Sequence, residues 1–261
     1  MGASERIPAA DLQRFSDALD SLPARQGRFE RLLRAAIGAW CRAVGWRLTV
    51  AGTEHLPVRD GVRGAGCVVA AAPHRAWVEP FLLVAAWPAE AARLVWLADG
   101  RTATRSWWRR RLLPRLGVIP VTTRAGGLRG YGQLAARACE RGCAVVVFPE
   151  VGSPSPPDRT REISAGFAYL ALGAGAPVVP VVVGGTHRIV RGSNFSLEFQ
   201  EPLGVGSAPD DAFTPAGRSR AHALRDELAE VMAASLPART AEADAAAPER
   251  ERWPWLGRLF D

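Results

Sequence analysis

The chain reads as an α/β domain with a largely parallel central sheet, helices on both faces, and an amphipathic helix in front. Two observations predict this. Short apolar runs at residues 67–72, 93–98, 117–122, 144–148 and 177–183 have the length of strands rather than helices. Helical stretches separate most of them, and strands alternating with helices imply parallel pairing, with functional groups gathered at the strands' C-terminal ends.

In chain order, residues 1–27 mix charges, Pro and Gly around a short helix. Residues 29–46 predict a helix with Leu33, Ile37, Trp40 and Val44 on one stripe and Arg31, Arg34 and Arg42 mostly off it. Such a stripe fits either a helix packed on its own domain or one lying in a membrane interface. A strand at 46–52 leads into the turn Gly52-Thr53-Glu54-His55-Leu56-Pro57. The strand at 67–72 is closed by Pro73, and a helix runs from Phe81 to Trp87 behind Pro80. Proline in a first helical turn costs nothing, because its missing N–H would be unpaired there anyway.

Beyond the strand at 93–98, Trp107 and Trp108 interleave with Arg109, Arg110, Arg111 and Arg115. On a helix these would set indole rings at headgroup depth and guanidinium groups on lipid phosphates. A strand at 117–122, a glycine-rich loop to Gly130, a helix at 131–141 and the strand at 144–148 follow. Residues 151–161 are rich in Pro and Ser and form a loop. A helix at 164–173, the strand at 177–183, an edge strand at 195–199 and a helix at 218–234 complete the domain. Residues 236–250, rich in Ala, Glu and Pro, read as a flexible linker. It ends in Trp253-Pro254-Trp255-Leu256-Gly257-Arg258-Leu259-Phe260, which either docks on the domain or inserts at a membrane surface. The expected organisation is a helical, interfacial segment at 1–45, an α/β domain at 46–235, and a linker with an aromatic, basic tail at 236–261.

Net charge is +7 with a pI near 10.4, and every basic side chain is arginine, which favours polyanionic partners. No nucleic-acid module accompanies that charge. Cys41, Cys67, Cys139 and Cys143 form no CxxC pair and stand apart from the histidines, so buried thiols in a reducing compartment are expected, with neither metal nor cofactor. There is no signal-peptide pattern, and no stretch reaches the roughly 18 apolar residues of a membrane span. A cytoplasmic protein, peripheral on the inner face of the cell membrane, is the expectation.

The stretch Ala71-Ala72-Pro73-His74-Arg75-Ala76-Trp77-Val78-Glu79-Pro80 places a histidine just past a strand and a carboxylate at a helix N-terminus. On a continuous helix, five residues would turn the two side chains roughly 140° apart, at about 100° per residue. With a loop between them they can meet, and the helix dipole favours a carboxylate at that end. A carboxylate on one imidazole nitrogen fixes the tautomer and leaves the other to take a proton from a hydroxyl. His74 is the candidate base and Glu79 its orienting group.

Four motifs in order resemble the glycerolipid acyltransferase family, the lysophosphatidic acid acyltransferases and their relatives. His74-x4-Glu79 stands where that family has His-x4-Asp. The short strand from Gly117 to Arg124 matches the second motif, and Phe148-Pro149-Glu150 matches three residues of Phe-Pro-Glu-Gly, with Val151-Gly152 after it. Val178-Val179-Pro180-Val181 matches the fourth, and the turn at 52–57 resembles the family's Gly-x-Glu-x-Leu-Pro. The resemblance covers about residues 46–185. It implies an O-acyltransferase in which His74 deprotonates an acceptor hydroxyl that attacks a thioester of coenzyme A or acyl carrier protein. No covalent acyl-enzyme is needed. Arg124 and Glu150 would bind a lysophospholipid acceptor, 1-acylglycerol-3-phosphate first, beside Phe148, Pro149 and Gly152. The Thr-Arg after the third motif and the lysine before Gly166 are absent, and Arg159 and Arg161 stand in for the lost cations. These departures leave a glycolipid or another lipid alcohol open as acceptor.

Two other classes remain at this stage. Gly130-Tyr131-Gly132-Gln133-Leu134-Ala135 fits the dinucleotide fingerprint G-x-G-x-x-A, with Glu150 near the place of a ribose-binding acid, though seven residues separate it from the strand. The basic charge would also serve a non-catalytic protein that binds anionic lipid. A serine hydrolase is less favoured, because the sequence has no G-x-S-x-G elbow.

Overall fold

A computed structural model of the chain describes residues 9–100, 106–121, 127–152, 155–206 and 212–245. Arg124 and the tail at 253–260 lie outside the described residues. The helices are α1 (Ala9–Ser21), α2 (Arg28–Ala43), α3 (Glu79–Ala86), α4 (Trp107–Leu112), α5 (Gly127–Glu140), α6 (Gly166–Ala174) and α7 (Pro215–Ala245). The central strands are β1 (Arg47–Ala51), β4 (Val68–Ala72), β5 (Leu94–Asp99), β6 (Val118–Val121), β7 (Ala144–Val147), β10 (Val178–Gly184) and β11 (Asn194–Phe199). Two small hairpins, β2 (Val58–Arg59) with β3 (Val62–Arg63) and β8 (Glu150–Val151) with β9 (Glu162–Ile163), lie outside the main sheet.

The seven strands are ordered β1-β11-β10-β4-β7-β5-β6. All neighbours are parallel except β10 and β11. Period-two alternation then divides the core. Val68, Ala70 and Ala72 face a layer built by α1, α5, α6 and α7. Val69 and Ala71 face the opposite layer, with Leu82 and Leu83 of α3 and Ile37 and Cys41 of α2. Both layers bury their side of β4 and β10, so every residue of the two strands is buried. That is why these runs are continuously apolar.

The stripe on α2 is settled by this packing. Ile37, Cys41 and Val44 are buried, and Trp40 lies against Trp46 and Trp77, so the helix packs on its own domain. Phe29 and Leu32 stay exposed on its first turns. Gly52 turns the chain out of β1 at φ +73°, and a Cβ there would come within 1.9 Å of the Phe199 carbonyl oxygen, so only glycine fits.

Two expectations are corrected. The strand at 195–199 is not an edge: β11 lies between β1 and β10, and β1 takes the edge through parallel pairing of Arg47–Ala51 with Asn194–Glu198. Residues 236–245 are not linker, because α7 continues to Ala245 with Pro237 inside it. Leu236, Thr240 and Ala243 recur at helical spacing and are buried, which outweighs the proline as a breaker. Gly184 makes room for this final stretch, since a Cβ there would meet the Arg239 carbonyl oxygen at 2.8 Å.

Candidate active site

The site lies where β4 and its neighbour β7 end. β4 passes through a cis Ala72–Pro73 peptide into His74, and the chain then turns into α3, whose first residue is Glu79 with Pro80 next. His74 Nδ1 and Glu79 Oε2 are 2.6 Å apart. A carboxylate only accepts, so Nδ1 carries the proton between them, and in the neutral ring Nε2 keeps its lone pair. Among the described residues Nε2 has no hydrogen-bond partner. The His74 side chain is 43% exposed, while that of Glu79 is fully buried.

Glu79 is buried but well supplied with donors. Its second oxygen, Oε1, accepts from the backbone N–H groups of Arg75 at 2.8 Å and Ala76 at 2.9 Å. These donors hold the carboxylate in place and compensate its burial. The loop between histidine and glutamate therefore folds around the carboxylate, as the five-residue spacing requires. On its other side the imidazole stacks on Phe148, with ring centroids 4.1 Å apart and an interplanar angle of 22°. Phe148 stands just past β7, whose Val147 pairs with Ala70 of β4, so sheet register sets the ring beside His74.

Glu150 is placed differently from a free acceptor-binding acid. Its Oε2 accepts from the His74 backbone N–H at 2.8 Å, and its Oε1 from the Arg161 backbone N–H at 2.9 Å. It braces the histidine turn against the loop that follows β8. Pro149 is buried, and its carbonyl accepts from the Ser164 N–H at 2.9 Å. Gly152 is an exposed turn residue. Arg159 is exposed and Arg161 half-buried on the same loop, and the Arg161 Nε is buried without a hydrogen-bond partner. The structure thus brings His74, Glu79, Phe148, Glu150 and Arg161 together.

Arg75 was not singled out by the sequence. Its guanidinium reaches the loop at 155–159, some 80 residues on, where no local pattern could have pointed to it. Burial lowers its pKa from the ordinary guanidinium value, while the nearby Glu150 carboxylate pulls the other way. Desolvation likewise raises the thiol of Cys67, and it pushes Cys139 up to about 12. All four cysteines are free and buried, as expected.

The dinucleotide reading is overturned by local geometry. Gly130 and Gly132 lie inside α5, which begins at Gly127, whereas the fingerprint needs its glycines in the turn between strand and helix. Gly132 faces Leu170 of α6, and a Cβ there would meet it at an ordinary 3.6 Å. Among the described residues no group of His, Cys, Asp and Glu has the arrangement of a metal site, and no helix is long and apolar enough to cross a membrane.

Residues 47–184, just over half of the chain, match the Acyltransferase family model. Nine chains of solved structures are similar. Among them is the 1-acyl-sn-glycerophosphate (LPA) acyltransferase PlsC from Thermotoga maritima, with a TM-score of 0.56 at 20% identity over 85% of this chain and 81% of that one. At that identity the likeness is one of fold. Comparison with curated protein sequences gives no match.

Proposed function

Since the chain belongs to the acyltransferase family, we propose that it moves a fatty acyl group from a thioester, acyl-CoA or acyl carrier protein, to the hydroxyl of a lysophospholipid, 1-acylglycerol-3-phosphate first. The observation that carries this reading is the 2.6 Å contact between His74 Nδ1 and buried Glu79, which leaves Nε2 as a bare acceptor on a half-exposed ring. Nε2 takes the acceptor's hydroxyl proton as the oxygen attacks the thioester carbonyl carbon. The C–S bond breaks, and the departing thiolate takes that proton back from the imidazolium. Glu79 favours the transient cation and holds the ring's orientation. Phe148 fixes the other face of the ring.

Arg161 and Arg159 supply positive charge for a phosphate on the acceptor, with Arg124 as a further cation and Pro149 and Gly152 shaping the approach. Glu150 serves by bracing the two segments that carry these groups. A lipid acceptor places the protein on a membrane, on the inner face of the cell membrane in this reading. Support for a peripheral contact with anionic lipid comes from Trp107, 69% exposed, and from Arg110, Arg111 and Arg115 around a depression of about 650 Å³.

The test is purified protein with acyl-CoA or acyl carrier protein donors and a panel of lysophospholipids and glycolipids, read by released thiol and product mass. His74→Ala is expected to lose at least about a hundredfold in rate, the scale of general-base help. Near wild-type turnover in that variant would end the mechanism. Turnover of another lipid alcohol but not of 1-acylglycerol-3-phosphate would change the acceptor and leave the chemistry standing.

A further inference from the structure

Arg75, directly after the histidine, spends its side chain on backbone rather than on a carboxylate. Nη1 donates to the Ser155 carbonyl at 2.7 Å, and Nη2 to the Pro156 carbonyl at 2.7 Å, to Ser155 Oγ at 3.1 Å and to the Arg159 carbonyl. Ser155 Oγ in turn donates to the Arg159 carbonyl at 2.8 Å, closing the loop on itself. The backbone N–H of Arg75 donates to Glu79 Oε1 at 2.8 Å. One arginine therefore joins the carboxylate behind His74 to the loop that bears Arg159 and Arg161.

Among the described residues, few other hydrogen bonds hold that loop to the rest of the chain. Its stem is the two-residue hairpin of β8 and β9, Pro156 to Arg159 are exposed, and the other ties described are Glu150 to the Arg161 N–H and Thr240 Oγ1 to the Pro157 carbonyl at 3.3 Å. A planar guanidinium can meet several carbonyls in fixed directions at once, whereas a lysine ammonium is a point charge on a flexible stem. We propose that Arg75 is a positioning residue that sets the acceptor-binding loop against the His74–Glu79 pair, so that acceptor and base meet in register. The proposal rests on the acyl-transfer reading given above.

The test uses Arg75→Lys and Arg75→Ala in the full chain, with three measurements. In steady-state assays, Arg75→Lys is expected to raise the acceptor KM and lower kcat/KM for the acceptor by about tenfold or more, as loss of charge-assisted hydrogen bonds implies, with the donor KM within about twofold. Methylguanidinium is expected to restore part of the loss in Arg75→Ala and none in Arg75→Lys. Limited trypsin digestion mapped by mass spectrometry is expected to cut after Arg159 or Arg161 early in the variants and late in the wild type, with thermal midpoints nearly equal. An acceptor KM unchanged in Arg75→Lys, or a loop equally resistant in both proteins, would overturn the proposal. Should Arg75→Ala not fold, Arg75→Lys decides. The trypsin arm needs no substrate, so a wild-type protein that acylates nothing sinks the functional reading, and an uncut Arg75→Lys loop sinks the tie.

Discussion

Replacing Glu79 by glutamine changes the charge and the proton pattern while nearly preserving shape. The carboxylate makes three contacts, with His74 Nδ1 at 2.6 Å and with the Arg75 and Ala76 N–H groups at 2.8 and 2.9 Å. A glutamine can keep its amide oxygen on the two backbone donors, which leaves its NH2 facing Nδ1. That forces Nδ1 to accept, so the ring proton moves to Nε2, the nitrogen assigned to take the acceptor's proton. The base is lost through the wrong tautomer, and the rate is expected to fall about 10²- to 10⁴-fold, the range for general-base catalysis. The stability change is smaller: exchanging a charged acceptor for a neutral one in a fully buried site should cost about 1–3 kcal/mol. The assay is single-turnover acyl transfer followed by released thiol, beside urea unfolding of both proteins. A folded Glu79→Gln variant with a rate within about threefold of wild type would refute the tautomer argument, since threefold lies far below the effect of removing a base.

Two further outcomes follow from the packing. Leu236→Ala removes a side chain that is 1% exposed and belongs to the core layer under α7, so urea unfolding should show a loss of about 2–5 kcal/mol; a change under about 0.5 kcal/mol would mean that residues 236–245 do not dock. The thiols of Cys67, Cys139 and Cys143, raised chiefly by burial, should resist alkylation at pH 8 in the native protein and react once unfolded. Because their folded pKa values lie above the unfolded ones, their contribution to stability is complete below about pH 8.5 and declines above it, so the thermal midpoint should fall as pH rises from there; fast native alkylation would contradict the burial.

Much of the site was legible because its parts are local. The run Val68 to Ala72, the closing Pro73, the helix start at Pro80 and the five-residue spacing of His74 and Glu79 each depend on neighbours a few positions away. The loop character of 151–161 followed from its prolines and serines in the same way. Phe148 beside the histidine required one further fact, that the strands before each are paired in the sheet.

What the amino-acid sequence determined alone was the strands of the main sheet and the helices between them, the alternation that makes that sheet mostly parallel, and the chemical pair at the end of β4; the two small hairpins and the end of α7 were not among these. Tertiary structure decided the rest: that β11 lies inside the sheet rather than at its edge, that α7 runs on through Pro237, that the α2 stripe faces its own domain, and that Glu150 meets the His74 N–H and Arg75 the carbonyls of a loop some 80 residues on. The physical reason is the range of the interactions. Periodicity, capping and proline act within a turn or two of the chain, whereas Arg75 and Ser155, or Leu236 and the core, meet only after the intervening chain has folded, and nothing in their immediate neighbours encodes the partner.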